Sequence, residues 1–157
     1  NSNFLFVALD GIANAENMGV IVRNCSAFGI DCIVVGETSC SPYLRRAVRN
    51  SMGTIFKMNV VHSNNLAMDL QFLSEKFQTN IIAAHPQKNS IENQNLKLGG
   101  NICVVFGSEG EGISKNILDV CNQKVIIPMR NNTDSLNVAS AVGVVLWETR
   151  KQLSMKN

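Results

Sequence analysis

Short apolar runs of strand length alternate along this chain with segments of helical period, and few folds accept that order. Residues 4–9 (Phe-Leu-Phe-Val-Ala-Leu), 33–35, 55–61, 81–84, 102–106 and 125–127 read as strands, the first apolar enough to be buried on both faces. Between them lie helix-period segments. Residues 18–28 place Ile21, Cys25 and Phe28 on one face before Gly29, a glycine suited to end a helix. Ser41-Pro42 opens a second candidate helix, with Leu44, Val48 and Met52 on one face and Arg45, Arg46 and Arg49 on the other. Leu66, Leu70, Leu73 and Phe77 mark a third, and residues 114–120 a short fourth. The last helix carries Val138, Val142, Val145 and Leu146, with Asp134 or Ser135 as its expected N-cap. Residues 85–101 are polar and read as a loop. Strands and helices in this order predict an α/β domain, a mostly parallel sheet covered by helices on both faces.

The chain has 157 residues, which fits one domain spanning residues 1–157. Hydrophobic residues make up 45% and charged residues only 17%, enough apolar mass for a core and too little charge for disorder. The net charge of +2 permits a nucleic-acid partner without demanding one. Five cysteines, Cys25, Cys32, Cys40, Cys103 and Cys121, are odd in number and form no C-x-x-C, so buried reduced thiols are expected and a cytoplasmic setting fits them. No apolar run has the length of a membrane span, and no signal peptide opens the chain. It starts at Asn1 without an initiator methionine, and we read it as a fragment or trimmed chain with room for an N-terminal region before it.

Several chemistries are excluded by motif. There is no G-x-x-x-x-G-K-[ST] and no G-x-G-x-x-G after the first strand, so neither a P-loop nor a dinucleotide fingerprint is present. The two histidines, His62 and His85, have no metal-ligand spacing, so no metal is expected. Gly107-Ser108-Glu109 is not a nucleophile elbow. The conspicuous polar residues are Asn, Arg, Glu and Ser, a set better suited to orientation and electrostatic stabilisation than to strong base catalysis.

Three clusters hold these residues. The first runs from Asn17 through Gly19 to Arg23, at the turn after the first strand, where α/β sheets gather ligands. Asn17 as a helix cap and Arg23 as a solvated helix arginine is the competing structural reading. The second is Phe106-Gly107-Ser108-Glu109-Gly110-Glu111-Gly112. Its glycines allow close backbone approach, while its carboxylates would repel phosphate and favour a ligand with positive charge or donors. An ordinary surface loop is the alternative. The third joins Ile127-Pro128-Met129 to Ser135-Leu136-Asn137-Val138, with plain N-capping as the alternative.

In this order the clusters resemble the three motifs of the SpoU (TrmH-like) branch of the SPOUT methyltransferases: N-x-G-x-x-x-R, F-G-S-E-G-x-G, then I-P-M followed by S-L-N-V. All three are complete between Asn17 and Val138, so the resemblance covers essentially the whole chain. It implies a deep trefoil knot in the C-terminal part of the sheet. It implies S-adenosylmethionine bound bent in the knot loops, at Gly107, Ile127 and Leu136, with Phe106, Ser108 and Met129 beside them. It implies a homodimer whose catalytic residues are shared across the interface, and methyl transfer to a ribose 2'-hydroxyl of rRNA or tRNA. The catalytic set carried over is Asn17, Arg23, Glu109, Ser135 and Asn137.

Within that set Arg23 is expected to stabilise the developing alkoxide or a neighbouring phosphate, because a guanidinium gives up its proton only at high cost. Ser135 and Asn137 would orient Arg23 and the ribose, and Glu109 would anchor the glycine loop or Asn17. The chain departs from the family pattern in two places. Asp-Pro is common ahead of the first Asn, where the run here is Ala13-Asn14-Ala15-Glu16-Asn17, and residues 130–134 lack a frequent glycine. Many members carry a separate N-terminal RNA-binding domain, none of which is visible here. Arg45, Arg46 and Arg49 form a basic patch for RNA phosphates, or else a solvated or ion-paired face. Two rival functions are a silent RNA-binding module and a knotted base-nitrogen methyltransferase. The intact polar set argues against the first, and Ser135-Leu136-Asn137 against the second.

Overall fold

The computed structural model describes residues 3–86 and 90–155. Its centre is a seven-stranded sheet with every paired neighbour parallel, in the order β3-β2-β1-β6-β4-β7-β5. The strands are β1 (Leu5–Asp10), β2 (Cys32–Val35), β3 (Val60–His62), β4 (Asn80–Ala84), β5 (Ile91–Glu92), β6 (Ile102–Gly107) and β7 (Gln123–Ile126). The helices are α1 (Ala15–Ala27), α2 (Arg45–Asn50), α3 (Leu66–Phe77), α4 (Lys115–Val120) and α5 (Val138–Ser154).

The doubly apolar strands predict two covering layers, and the core divides that way. On one face Val7, Leu9, Val104 and Phe106 meet Met18, Ile21 and Cys25 of α1 and Val142, Val145 and Leu146 of α5. On the other, Ala8, Val34, Cys103 and Val105 meet Leu66 and Leu70 of α3 and Ile117 of α4. Successive residues of β1 and β6 thus feed opposite layers, as a pleated strand requires. The register places Val7 beside Ile33 on one side and Val104 on the other. Each buried Val, Leu or Phe contributes about 1.5–3 kcal/mol.

Several boundaries differ from those the sequence suggests, each for a local reason. Helix α1 starts three residues early because Asn14, rather than Asn17, is the cap; its side chain accepts from the Asn17 N–H at 2.9 Å. Ser41 does not start α2: its hydroxyl accepts from the Tyr43 N–H at 3.1 Å in a turn, and the helix begins only at Arg45. Ala47 is the residue α2 buries, while Leu44 and Met52 are exposed. Of residues 55–61, expected as one strand, residues 55–57 instead join Thr54 in a 3-10 turn that tucks Ile55 under α1, and β3 starts only at Val60. The polar stretch 85–101 holds the two-residue β5 and a 3-10 turn at Asn93–Asn95, then buries Leu96 and Leu98. Helix α5 is capped by Asn137, whose side chain accepts from the Ser140 N–H at 3.2 Å, and not by Asp134 or Ser135.

Helix α1 is tied to both neighbours. Gly19 lies so close to α2 that a Cβ there would stand 2.4 Å from the Ala47 carbonyl oxygen. The Asn24 amide donates to the Ala139 carbonyl at 2.9 Å. Arg150 of α5 donates to the carbonyls of Phe28 (2.6 Å) and Gly29 at the far end of α1. Those carbonyls lie where α1 has run out of its own donors.

Candidate cofactor cavity and polar wall

The carboxyl ends of β4, β6 and β7 open on a cavity of about 360 Å³, the place where open parallel sheets bind ligands. Every residue carried over as cofactor-binding lines it: Phe106, Gly107, Ser108, Ile127, Met129 and Leu136. Phe106 is also core, buried in the layer below.

Residues 107–112 fold back on themselves to make one wall. The Gly112 N–H donates to the Ser108 carbonyl at 2.9 Å, and the Glu111 N–H to the Ser108 hydroxyl at 3.3 Å. The return is so tight that a Cβ on Gly107 would stand 2.2 Å from the Gly112 carbonyl carbon, so only glycine fits. Below this loop, the buried Asp10 at the end of β1 accepts from the Ser114 N–H (2.7 Å) and hydroxyl (2.8 Å), fixing the entry to α4. Glu109, Glu111 and Asp134 give the cavity negative charge, and glycines and apolar side chains make up much of the rest of its lining. That combination fits an organic cation with an adenosine-sized body better than a phosphate.

Three of the five expected catalytic residues meet at one edge of the cavity. The Asn137 amide donates to Asn17 Oδ1 at 3.0 Å and to Glu109 Oε1 at 2.5 Å. The Val138 N–H donates to the same Glu109 oxygen at 3.2 Å. Glu109 therefore serves the start of α5 as an acceptor near the positive end of the helix, and it reaches Asn17 only through Asn137. On the other side of this chain of contacts lies a polar groove between α1 and α5, lined by Glu16, Asn17, Asn24, Asn50 and Ser140.

The remaining two residues stand apart. Ser135 is exposed on the rim of the cavity. Arg23 is exposed on α1 and lines neither the cavity nor the groove; its guanidinium has no hydrogen bond or ion pair among the described residues. The expected orientation of Arg23 by Ser135 and Asn137 is thus absent within one chain. Arg45, Arg46 and Arg49 are all exposed on α2, and Arg46 reaches Glu16 at 3.7 Å, a surface pair worth little.

His85 escaped the sequence reading. It follows β4 and lines the cavity, and a lone histidine after a strand carries no motif that would reveal it. Burial, and secondarily the charge of Lys124, push its pKa below the usual 6.5. The five cysteines are all free; Cys25 and Cys103 are fully buried, and burial raises their thiol pKa values well above the ordinary range. No group of three or more potential metal ligands is found among the described residues, and no helix there is long and apolar enough to cross a membrane.

Comparison with known proteins agrees with this arrangement. The 23S rRNA (guanosine-2'-O-)-methyltransferase RlmB of Haemophilus ducreyi is 31% identical over 151 residues, covering 96% of this chain and 61% of that protein. The RlmB of Acinetobacter baylyi is 28% identical, covering 97% and 61%. The chain therefore spans about three fifths of the length of these curated relatives. The SpoU methyltransferase AviRb from Streptomyces viridochromogenes, solved in complex with AdoMet, superposes with a TM-score of 0.89 at 24% identity, covering 99% of this chain and 62% of that one. At that identity the likeness speaks for the fold. The family profile described as SpoU rRNA Methylase matches residues 4–147, the whole span from β1 to Trp147 of α5. On that match the chain belongs to the SpoU rRNA methylase family.

Proposed function

We propose that this chain transfers a methyl group from S-adenosylmethionine to a ribose 2'-hydroxyl of structured RNA, rRNA or tRNA. The observation that carries the reading is the convergence of all three motif segments: two line one cavity, and the third joins its wall through the Glu109–Asn137–Asn17 contacts. Bound there, S-adenosylmethionine would supply a methyl group already activated by its sulfonium charge. Gly107, Ile127 and Leu136 would hold it through their backbones, with Phe106, Ser108 and Met129 around it. The carboxylates of the cavity suit its positive charge.

The protein's remaining task is to place the ribose oxygen in line and to stabilise the charge it gains as its proton leaves. Asn17 and Asn137 stand at the edge facing the polar groove, and we assign them to positioning the ribose, with Glu109 holding Asn137 and Ser135 contributing from the rim. Arg23 is the electrostatic stabiliser. Because it stands apart from the others within one chain, its role requires a homodimer in which α1 and α5 of two copies pack together and complete each other's sites. Val20, Val144 and Trp147, exposed on those two helices, favour that packing. Arg45, Arg46 and Arg49 would hold RNA phosphates, and a cytoplasmic location suits the free thiols.

The same reading carries the C-terminal trefoil knot. Strand β7 lies between β4 and β5 in the sheet although it follows both in the chain. A later strand passing beneath an earlier connection is the step a knot requires. The test of function is transfer of a labelled methyl group to RNA, followed by nuclease digestion and nucleoside analysis. Label in a 2'-O-methylnucleoside is expected. Label in a methylated base would overturn the reaction, and RNA binding without transfer would mark a silent module.

A further inference from the structure

We infer that His85 is a cofactor-binding residue, its imidazole giving S-adenosylmethionine a side-chain hydrogen bond that the three motifs do not supply. The inference rests on the cofactor reading above and adds a residue to it. The histidine sits in the wall of the cavity at the end of β4. Its backbone is held from two sides: the His85 N–H donates to the Val125 carbonyl at 3.0 Å, and its own carbonyl accepts from the Ser90 hydroxyl at 2.9 Å. The ring lies against Gly112, where a Cβ would stand in ordinary van der Waals contact, 3.6 Å from Nδ1.

Within this fixed setting Nδ1 is shielded from water and has no hydrogen-bond partner among the described residues. A buried polar nitrogen without a partner is destabilising, and such an atom beside a ligand cavity points to a partner that arrives with the ligand. A half-turn of the ring about Cβ–Cγ would carry Nδ1 from the edge facing Gly112 to the opposite edge of the ring.

The charge state is compatible. Burial and the Lys124 ammonium of β7 disfavour a proton on the ring, while Glu109 and Glu111 of the glycine loop and Asp134 of the last loop line the same cavity. A neutral imidazole can donate or accept without setting a second cation beside a sulfonium. The adenine and ribose edges of the cofactor offer both kinds of partner.

The test is calorimetric titration of the whole chain with S-adenosylmethionine, for wild type and three variants checked for folding by thermal melting. His85→Phe keeps a planar ring and removes both nitrogens; His85→Asn and His85→Gln each keep one nitrogen near a ring position. The expected result is about tenfold weaker binding for His85→Phe, the scale of one lost hydrogen bond, with one of the two amides restoring most of it. Binding by His85→Phe within about twofold of wild type would overturn the inference, as would equal losses in all three variants, which would mark a role in shape alone. A wild-type chain that binds no S-adenosylmethionine would instead overturn the cofactor reading, and this inference with it.

Discussion

Glu109 Oε1 takes two hydrogen bonds from the first residues of α5, and Asn137 spends its amide on Glu109 and Asn17 while its oxygen caps the helix. One side chain therefore holds a helix start, the glycine loop and the first turn of α1 together. Asn137→Ala should lower stability by about 1–2 kcal/mol, the usual loss for a helix cap, read as a shift in the urea midpoint. It should lower methyl transfer by a larger factor than the stability change explains. Asn137→Asp is the sharper comparison. It keeps a cap acceptor but sets a carboxylate against Glu109, so transfer should fall nearly as far while α5 stays formed. Asn17, Glu109 and Asn137 were legible in the sequence as a set, because their motifs recur in order. Their partnership was not: Asn17 and Asn137 are 120 residues apart, and either asparagine alone reads as a cap. Asn14 holds the capping role that the competing structural reading gives to Asn17, because any asparagine suits a cap and only the contact of Asn17 with Asn137 distinguishes the two.

At the scale of elements, the contact of α1 with α2 decides how the first motif is presented. Gly19→Ala would drive a methyl group into the Ala47 carbonyl, so the helices must part. A loss of about 1–3 kcal/mol is expected, with weaker transfer as Asn17 shifts. Thermal melting alongside the transfer assay checks both. Strands β1, β2, β4, β6 and β7 and helices α1, α3, α4 and α5 could be read from periodicity, since their buried residues fall at the expected spacing. Helix α2 could not, because its apolar side chains Leu44 and Met52 stay exposed and only Ala47 is buried. Nor could β5, two exposed residues whose strand character comes only from pairing with β7.

For the whole molecule, the exposed Val20, Val144 and Trp147 and the solitary Arg23 belong to one question, whether two copies make one active site. Val144→Asp should convert a dimer to a monomer in sedimentation equilibrium and abolish transfer, while cofactor binding by each chain survives. A variant that stays dimeric and active would contradict the assignment of that face. The buried thiols set an alkaline limit. Cys25 and Cys103 are raised well beyond the ordinary value of 9.0, and Cys121 is pushed up to about 12, each chiefly by burial. Above pH 9 the unfolded chain releases these protons and the folded chain keeps them. Stability should therefore fall as pH rises past about 9 and be flat with respect to these groups below it, as urea titrations across that range would show.

The central claim is that the methyl group goes to ribose oxygen and that Arg23 stabilises its transfer. A 2'-O-methyl group blocks the hydroxyl that attacks the neighbouring phosphodiester in alkali, so the measurement is an alkaline ladder of a target RNA treated with S-adenosylmethionine and either wild type or Arg23→Ala. The account predicts one missing band with wild type and a complete ladder with Arg23→Ala, which should still bind cofactor. A complete ladder from RNA that has taken up the methyl label, or the same missing band from Arg23→Ala at full rate, would contradict it.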